Sequence, residues 1–395
     1  MTMLRRDFLC TTVAASVSSA FGETPVAPPL QDHRLELIEF PVVSLKWPRH
    51  VGRNSRKEHH GHGPQKVTVV KLTTNQGAVG WGHIQGSRAR AAEIGQGFIG
   101  KRISEMISPS KGLLDDELDL LDVALHDLAG VILGQPVWKM MNPWREKPFL
   151  TNIYSGMIYF DDLDPEDSPA GIDKVLENCQ WDIDYGYRQL KVKIGRGGRW
   201  MEKQAGLKRD MEVVRAIGDA FPDIDILVDG NDAFTLPEII AFCEGIGDVP
   251  LFWIEEPFRE TVADWTKLSK WLKANGREKT LCADGEARPD FKVLEDLAAA
   301  GVLDVRLEDI CGHEFNAWRR QMPGLIKAGV QISPHTWGSA LKSVYVAHFV
   351  GAWGHSPTIE GVTTEGGNVD FGENRIVGGQ LVPSSQPGFG LKLPT

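Results

Sequence analysis

From about residue 150 onward, short apolar runs alternate with amphipathic stretches, and nearly every run ends in a charged or polar residue. The predicted strands are Leu150–Met157, Gln189–Ile194, Ile224–Asp229, Leu251–Glu256, Thr280–Gly285, Asp304–Asp309, Val330–His335 and Pro357–Gly361. Helical patterns such as Met211–Ala220 and Leu294–Ala300 separate them. Strands that alternate with helices pair in parallel through right-handed crossovers. Eight such units predict a closed α/β structure, a modified eight-stranded (β/α) barrel of TIM type, although an eighth helix is weakly marked. The 395 residues leave room for it beside a second domain.

That second domain precedes the barrel. Leu35–Leu45, Lys66–Thr73 and Ala78–His83 read as strands, the last two joined at Asn75-Gln76-Gly77. Leu120, Leu121, Ala124, Leu125, Leu128, Val131 and Ile132 then recur at helical spacing, and Gly134 with Pro136 ends the helix. The expected organisation is an α+β capping domain at 30–148, the barrel at 149–364, and a Gly- and Pro-rich segment at 365–395 that returns to the cap. Residues 1–22 read as a twin-arginine export signal: Arg5 and Arg6 precede a mildly apolar run with small residues at Ser18 and Ala20. A periplasmic location is therefore expected.

Composition narrows the function. A net charge of −10 argues against nucleic acid, which selects basic surfaces. No apolar run is long enough to span a membrane. The cysteines lack metal-finger spacing, and Cys179, Cys243, Cys282 and Cys311 sit in apolar or element-like stretches as expected buried thiols.

In a barrel, chemistry gathers at the carboxyl ends of the strands. Those ends carry Lys191 and Lys193, Asp229 and Asn231, Glu255, Asp284 and Glu286, Asp309, His335, and Glu360. Taken singly, a Lys-x-Lys strand is usually a solvated face and a Glu-Glu-Pro a surface turn. Their succession on neighbouring strands outweighs those readings. Strand alternation puts Lys191 and Lys193 on one face, and only one of Glu255 and Glu256 inward.

The runs LKVKIG (190–195), VDGN (228–231), WIEEP (253–257), Gly285-Glu286, Leu307–Asp309 and SPH (333–335) resemble the mandelate racemase subgroup of the enolase superfamily. ALHDLAGVILGQP (124–136) resembles the helix closing that family's capping domain. The resemblance implies that Asp229, Glu255 and Glu286 ligate Mg²⁺, with Asp284 an alternative to Glu286. It makes Lys193 one base, with Lys191 beside it, and His335 paired with Asp309 the other; Glu360 would lie near the substrate carboxylate. Glu308 departs from the pattern, which commonly has proline there. Three carboxylates suit a hard cation that keeps positions open for substrate. Such a cation stabilises the enediolate left when a proton next to a carboxylate is removed. Lys193, next to another ammonium and the cation, is expected to have a lowered pKa. Arg196–Gly206 reads as a long loop.

Lys46–Lys66 gathers Trp47, Arg49, His50, Arg53, Arg56, Lys57, His59, His60 and His62. In the resembling family this loop covers the barrel mouth and selects the substrate. Its cationic character suits a polyhydroxylated acid anion, with Asn231, His59, His60 and His62 as candidate substrate contacts; a solvated loop or a His-rich metal tract is the alternative. The expectation is dehydration of an acid sugar (an aldonate or uronate) by a homo-oligomeric enzyme. Racemisation, epimerisation and cycloisomerisation need the same groups. An exported binding protein without catalysis, or a Schiff-base aldolase, are readings of other classes.

Overall fold

The computed structural model describes residues 28–84, 86–364 and 367–394. Residues 1–22, expected from the sequence to be an export signal, lie outside the described residues.

Four antiparallel strands open the fold: β1 (Leu35–Glu39), β2 (Val42–Lys46), β3 (Pro64–Thr74) and β4 (Val79–His83), with β3 paired to each of the others. The helix Asp122–Leu133 lies against β4. Gly80 and Gly82 make that approach possible: a Cβ on Gly80 would come 2.3 Å from Leu128 Cα, and one on Gly82 2.6 Å from Val123 Cγ1. Gly134 ends the helix at φ +63°, a conformation that favours glycine. A two-residue hairpin, β5 (Ile107–Ser108) and β6 (Gly112–Leu113), completes this part.

Eight parallel strands follow: β7 (Asn152–Ile158), β8 (Gln189–Lys193), β9 (Asp225–Asp229), β10 (Leu251–Glu255), β11 (Leu281–Asp284), β12 (Val305–Arg306), β13 (Gln331–Ile332) and β14 (Thr358–Gly361). They pair in chain order, and β14 returns to pair with β7. Across the remaining seam, Ile332 N–H donates to the His355 carbonyl at 3.1 Å. The expected barrel and its strands are present. Tyr154, Leu227, Trp253, Ala283, Val305 and Leu307 fill its interior.

Among the described residues, seven of the strand connections or exits carry a helix, the last being Ala340–Trp353. After β14 the chain instead forms a hairpin, β15 (Arg375–Val377) and β16 (Gln380–Val382), that attaches to β7 through Gln380 and Asn152. The weak eighth helical signal reflects this substitution. The chain then reaches the first domain: Phe389 N–H donates to Asp127 Oδ1 at 2.7 Å, Val137 N–H to the Gly388 carbonyl at 2.9 Å, and Trp81 Nε1–H to the Leu391 carbonyl at 3.3 Å.

One expectation needs correction. Arg196–Gly206 is not a long loop: a short turn at Arg196–Gly198 leads into a helix, Lys203–Ala220, that starts well before the apolar period beginning at Met211. Gly206 lets this helix touch the turn, since a Cβ there would sit 2.2 Å from Gly197 N. The glycines serve close packing.

Candidate active site

Register places the polar strand ends at one level. Lys193 pairs with Asp229, and Asp229 with Glu255, across β8, β9 and β10. Asp309 and His335 form a parallel bridge just beyond β12 and β13. Ligand oxygens of Asp229, Glu255 and Glu286 lie within 4.8 Å of one another. Glu286, rather than Asp284, completes this trio. Asp284 accepts a 2.6 Å hydrogen bond from Trp265 Nε1–H, which belongs to the helix Val262–Ala274, and burial pushes its carboxyl up to about 8. Glu256, the other member of the pair, has φ +37° and accepts from Ala287 N–H at 2.7 Å.

The trio fits a hard divalent cation. All its donors are carboxylate oxygens. Glu255 Oε2 and Glu286 Oε2 are buried with no hydrogen-bond partner, a costly state that a cation would relieve. Burial and the neighbouring Asp229 push Glu255 well above the usual carboxylate range.

The lysines differ in their surroundings. Lys191, 1% exposed, is fixed by Glu255 Oε1 at 2.8 Å and Glu360 Oε1 at 3.1 Å. Lys193 bonds Asp229 and lies 5.4 Å from the centre of the Tyr159 ring. The expected lowering of its pKa is not what the structure shows. Burial does push the ammonium down, but Asp229, Tyr159 and Glu286 together push it up by more, and the net direction is upward. A divalent cation sharing Asp229 would weaken that pull.

Opposite stands His335. Its Nδ1 is 3.0 Å from Asp309 Oδ2, and its Nε2 is 3.3 Å from Glu286 Oε1 and 3.9 Å from Glu360 Oε2. Burial favours the neutral ring, but Glu286, Glu360 and Asp309 outweigh it and raise the pKa. Glu360 accepts Thr336 N–H at 2.6 Å; burial pushes it up, yet Lys191 and His335 hold it down at about 2. Lys342 Nζ also donates to Asp309 Oδ2, at 2.7 Å. Sequence reasoning missed Lys342; its signal was a lone charge inside the apolar run Ala340–Val350. Glu308, which departs from the proline pattern, pairs with Arg306.

The Lys46–Lys66 loop is tied to the barrel. Asn54 Nδ2–H donates to Asn231 Oδ1 at 2.9 Å, Arg56 to Asp232 Oδ2 at 2.5 Å, and Trp200 Nε1–H to the Asn54 carbonyl at 2.6 Å. Asn231, a candidate substrate contact, therefore holds the loop. The three loop histidines separate. His60 packs tilted against Tyr159 at 4.6 Å and edge-on to Trp337 at 6.2 Å, and burial lowers its pKa to about 4. His59 and His62 are exposed and adjoin His50 instead. With Trp47, 5.1 Å from Trp337, the rings of His60, Tyr159 and Trp337 form one aromatic cluster beside Lys193. Tyr159 and Trp337 also escaped the sequence reading.

The family model described as Enolase C-terminal domain-like matches residues 174–394. The chain belongs to the enolase superfamily. Among solved structures, this enolase-superfamily chain is similar to a mutant of a galacturonate dehydratase from Geobacillus sp. complexed with Mg, at 28% identity and a TM-score of 0.85, over 94% of this chain and 95% of that one. A second structure, of a galacturonate dehydratase from Geobacillus sp. complexed with D-galacturonate and 5-keto-4-deoxy-D-galacturonate, gives 29% identity and 0.83 over 92% and 95%. A D-galactarolactone cycloisomerase of Agrobacterium fabrum is 23% identical over 356 residues, 85% of this chain and 83% of that protein. Its relatives thus include both dehydratases and isomerases. No helix among the described residues is long and apolar enough to cross a membrane.

Proposed function

We propose that this protein is a Mg²⁺-dependent dehydratase of an acid sugar, of the uronate or aldonate class. The observation that carries the reading is the carboxylate trio flanked by Lys193 on one side and the His335–Asp309 pair on the other. Asp229, Glu255 and Glu286 would hold the ion, which supplies a Lewis acid for the charge left on a substrate carboxylate when its α-proton departs. One of Lys193 and His335 accepts that proton. For dehydration, His335 protonates the departing β-hydroxyl, so water leaves and the resulting enol rearranges to a keto acid. Asp309 orients the imidazole through Nδ1, directing Nε2 at the substrate. Lys191 and Glu360, bonded to each other, position the carboxylate end. The similarity to a dehydratase complexed with a uronate and its keto-deoxy form supports dehydration over the isomerisations that the same groups allow.

The test is a panel of acid sugars incubated with Mg²⁺ and analysed by mass spectrometry and NMR. Loss of one water with appearance of a keto acid is expected; α-deuterium exchange from D₂O without loss of water would favour a racemase or epimerase. Isomerisation of a lactone at unchanged mass would favour a cycloisomerase. Binding without exchange would favour the binding-protein reading. EDTA should abolish turnover and Mg²⁺ restore it. We further propose periplasmic export through the Arg5-Arg6 segment: a reporter carrying residues 1–30 should be exported, and exchange of both arginines for lysine should block it. A homo-oligomer is proposed on the family resemblance, and light scattering would test it.

A further inference from the structure

A second cluster of metal-ligating side chains lies on the loop, apart from the carboxylate trio. The backbone pinches where Val51 N–H donates to the Gly61 carbonyl at 2.7 Å and Gly61 N–H to the Val51 carbonyl at 3.0 Å. This brings His50, at one end, beside His59 and His62 at the other. Their ring centres are 5.7 Å (His50–His59), 5.6 Å (His59–His62) and 6.5 Å (His50–His62) apart. Imidazoles bound to one tetrahedral ion through nitrogens about 2 Å from it have centres roughly 5 Å apart. Exposed side chains change rotamer freely enough to cover the remaining difference.

The fourth group comes from the barrel. Asp164, beyond β7, turns Oδ1 to Arg53 Nε at 2.8 Å, while its Oδ2 is buried and has no hydrogen-bond partner. His50 Nε2 lies 3.7 Å from that oxygen, too far for a hydrogen bond. Nitrogen and oxygen ligands sharing one tetrahedral ion stand about 3.3 Å apart, close to this spacing. Asp161 completes a group with His50 and Asp164 whose ligand atoms lie within 4.8 Å. It is held by Gly52 N–H at 2.8 Å and Asn178 Nδ2–H at 2.7 Å. Gly52 must be small here, since a Cβ would come 2.6 Å from both Asp161 Oδ1 and Asp164 Oδ2. Arg49 and Arg53 oppose a cation at this place, and the two aspartates offset them.

We propose that His50, His59, His62 and Asp164 form a transition-metal site of the zinc class, which staples both arms of the loop to the first barrel strand's exit. Imidazole nitrogens select Zn²⁺, Ni²⁺ or Cu²⁺ over Mg²⁺, so the two sites differ by chemistry as well as by position.

The test uses the full chain without an affinity tag, stripped with chelator and returned to excess Mg²⁺ to occupy the carboxylate trio. Zn²⁺ is titrated in by calorimetry, and Co²⁺ replaces it for visible absorption. One Zn²⁺ per chain is expected, with a Co²⁺ spectrum of a four-coordinate ion. Loss of an outer-shell partner typically weakens metal binding about 10–100-fold. His59→Ala with His62→Ala removes two ligands and should cost more than that, and Asp164→Asn at least that much. Glu286→Gln should leave Zn²⁺ affinity unchanged. The exposed histidines carry no packing load, and circular dichroism checks the fold of the Asp164 variant. Absence of Zn²⁺ binding to the Mg²⁺-loaded protein overturns the proposal. So does binding that survives the loss of both histidines, or binding that disappears in Glu286→Gln.

Discussion

Two groups of largely buried charges occupy neighbouring parts of the barrel, and they are built in opposite ways. Arg196 sits between Asp162 and Asp210: Nη2–H donates to Asp162 Oδ1 at 2.6 Å, Nη1–H to Asp210 Oδ1 at 2.7 Å, and Gly195 N–H donates to Asp210 Oδ2 at 2.9 Å. The guanidinium also lies over the Phe160 ring at 4.3 Å. No polar atom of these three side chains lacks a partner. At the mouth, by contrast, Glu255 and Glu286 each keep a buried oxygen without one, and carboxylates crowd within 4.8 Å. A closed cluster fixes a loop. One that is left open is poised for something outside the chain.

That contrast predicts different consequences for different substitutions. The largest concerns the mouth. Lys193→Ala and His335→Asn should each reduce turnover by about 10²–10⁴-fold or more, because general acid–base groups contribute on that scale and act as a unit. Both variants should fold, and in D₂O they should exchange the α-proton of substrates of opposite configuration. Near-normal turnover in both would sink the assignment. Next comes the closed cluster. Arg196→Met leaves two buried carboxylates uncompensated and should cost about 3–5 kcal/mol in denaturant unfolding, while the folded fraction keeps its metal affinity. A change confined to metal binding would erase the distinction between the clusters.

A buried neutral group sharpens it. His348 is fully buried, and burial lowers its pKa to about 3. Its folded value lies below the unfolded one near 6.5, so the unfolded chain binds the proton first. The stability this represents is complete above about pH 6.5 and is lost as pH falls toward the folded value, amounting to about 3 kcal/mol between pH 7 and 4. His348→Leu should flatten that part of the acid unfolding curve; an unchanged curve would mean the ring titrates normally. The smallest difference separates adjacent residues: Glu255→Gln should weaken Mg²⁺ binding at least about 10-fold more than Glu256→Gln, measured by calorimetry. Equal losses would mean that Glu256 also reaches the ion.

The mouth was legible in the sequence because strand alternation and strand-end position are both one-dimensional signals. Lys191, Lys193, Asp229, Glu255 and His335 could be placed by counting. The closed cluster was not legible. Arg196 follows a strand as a surface arginine would, and only folding reveals Asp162 and Asp210 on either side of it. The early start of the helix at Lys203 was hidden because its first turns carry Lys203, Gln204, Lys208 and Arg209, with little apolar period. His50 was noted only as part of a basic loop, since its neighbours His59 and His62 become adjacent through the Val51–Gly61 pinch.

The docking of Phe389 on Asp127 spans 262 residues. A ribosome adds about 5–20 residues per second, so this contact stays out of reach for many seconds after the helix Asp122–Leu133 has emerged. During that interval Asp127 lacks one of its two backbone donors, and the helix lacks the tail that covers it. The part of the protein synthesised first is therefore among the last to be completed.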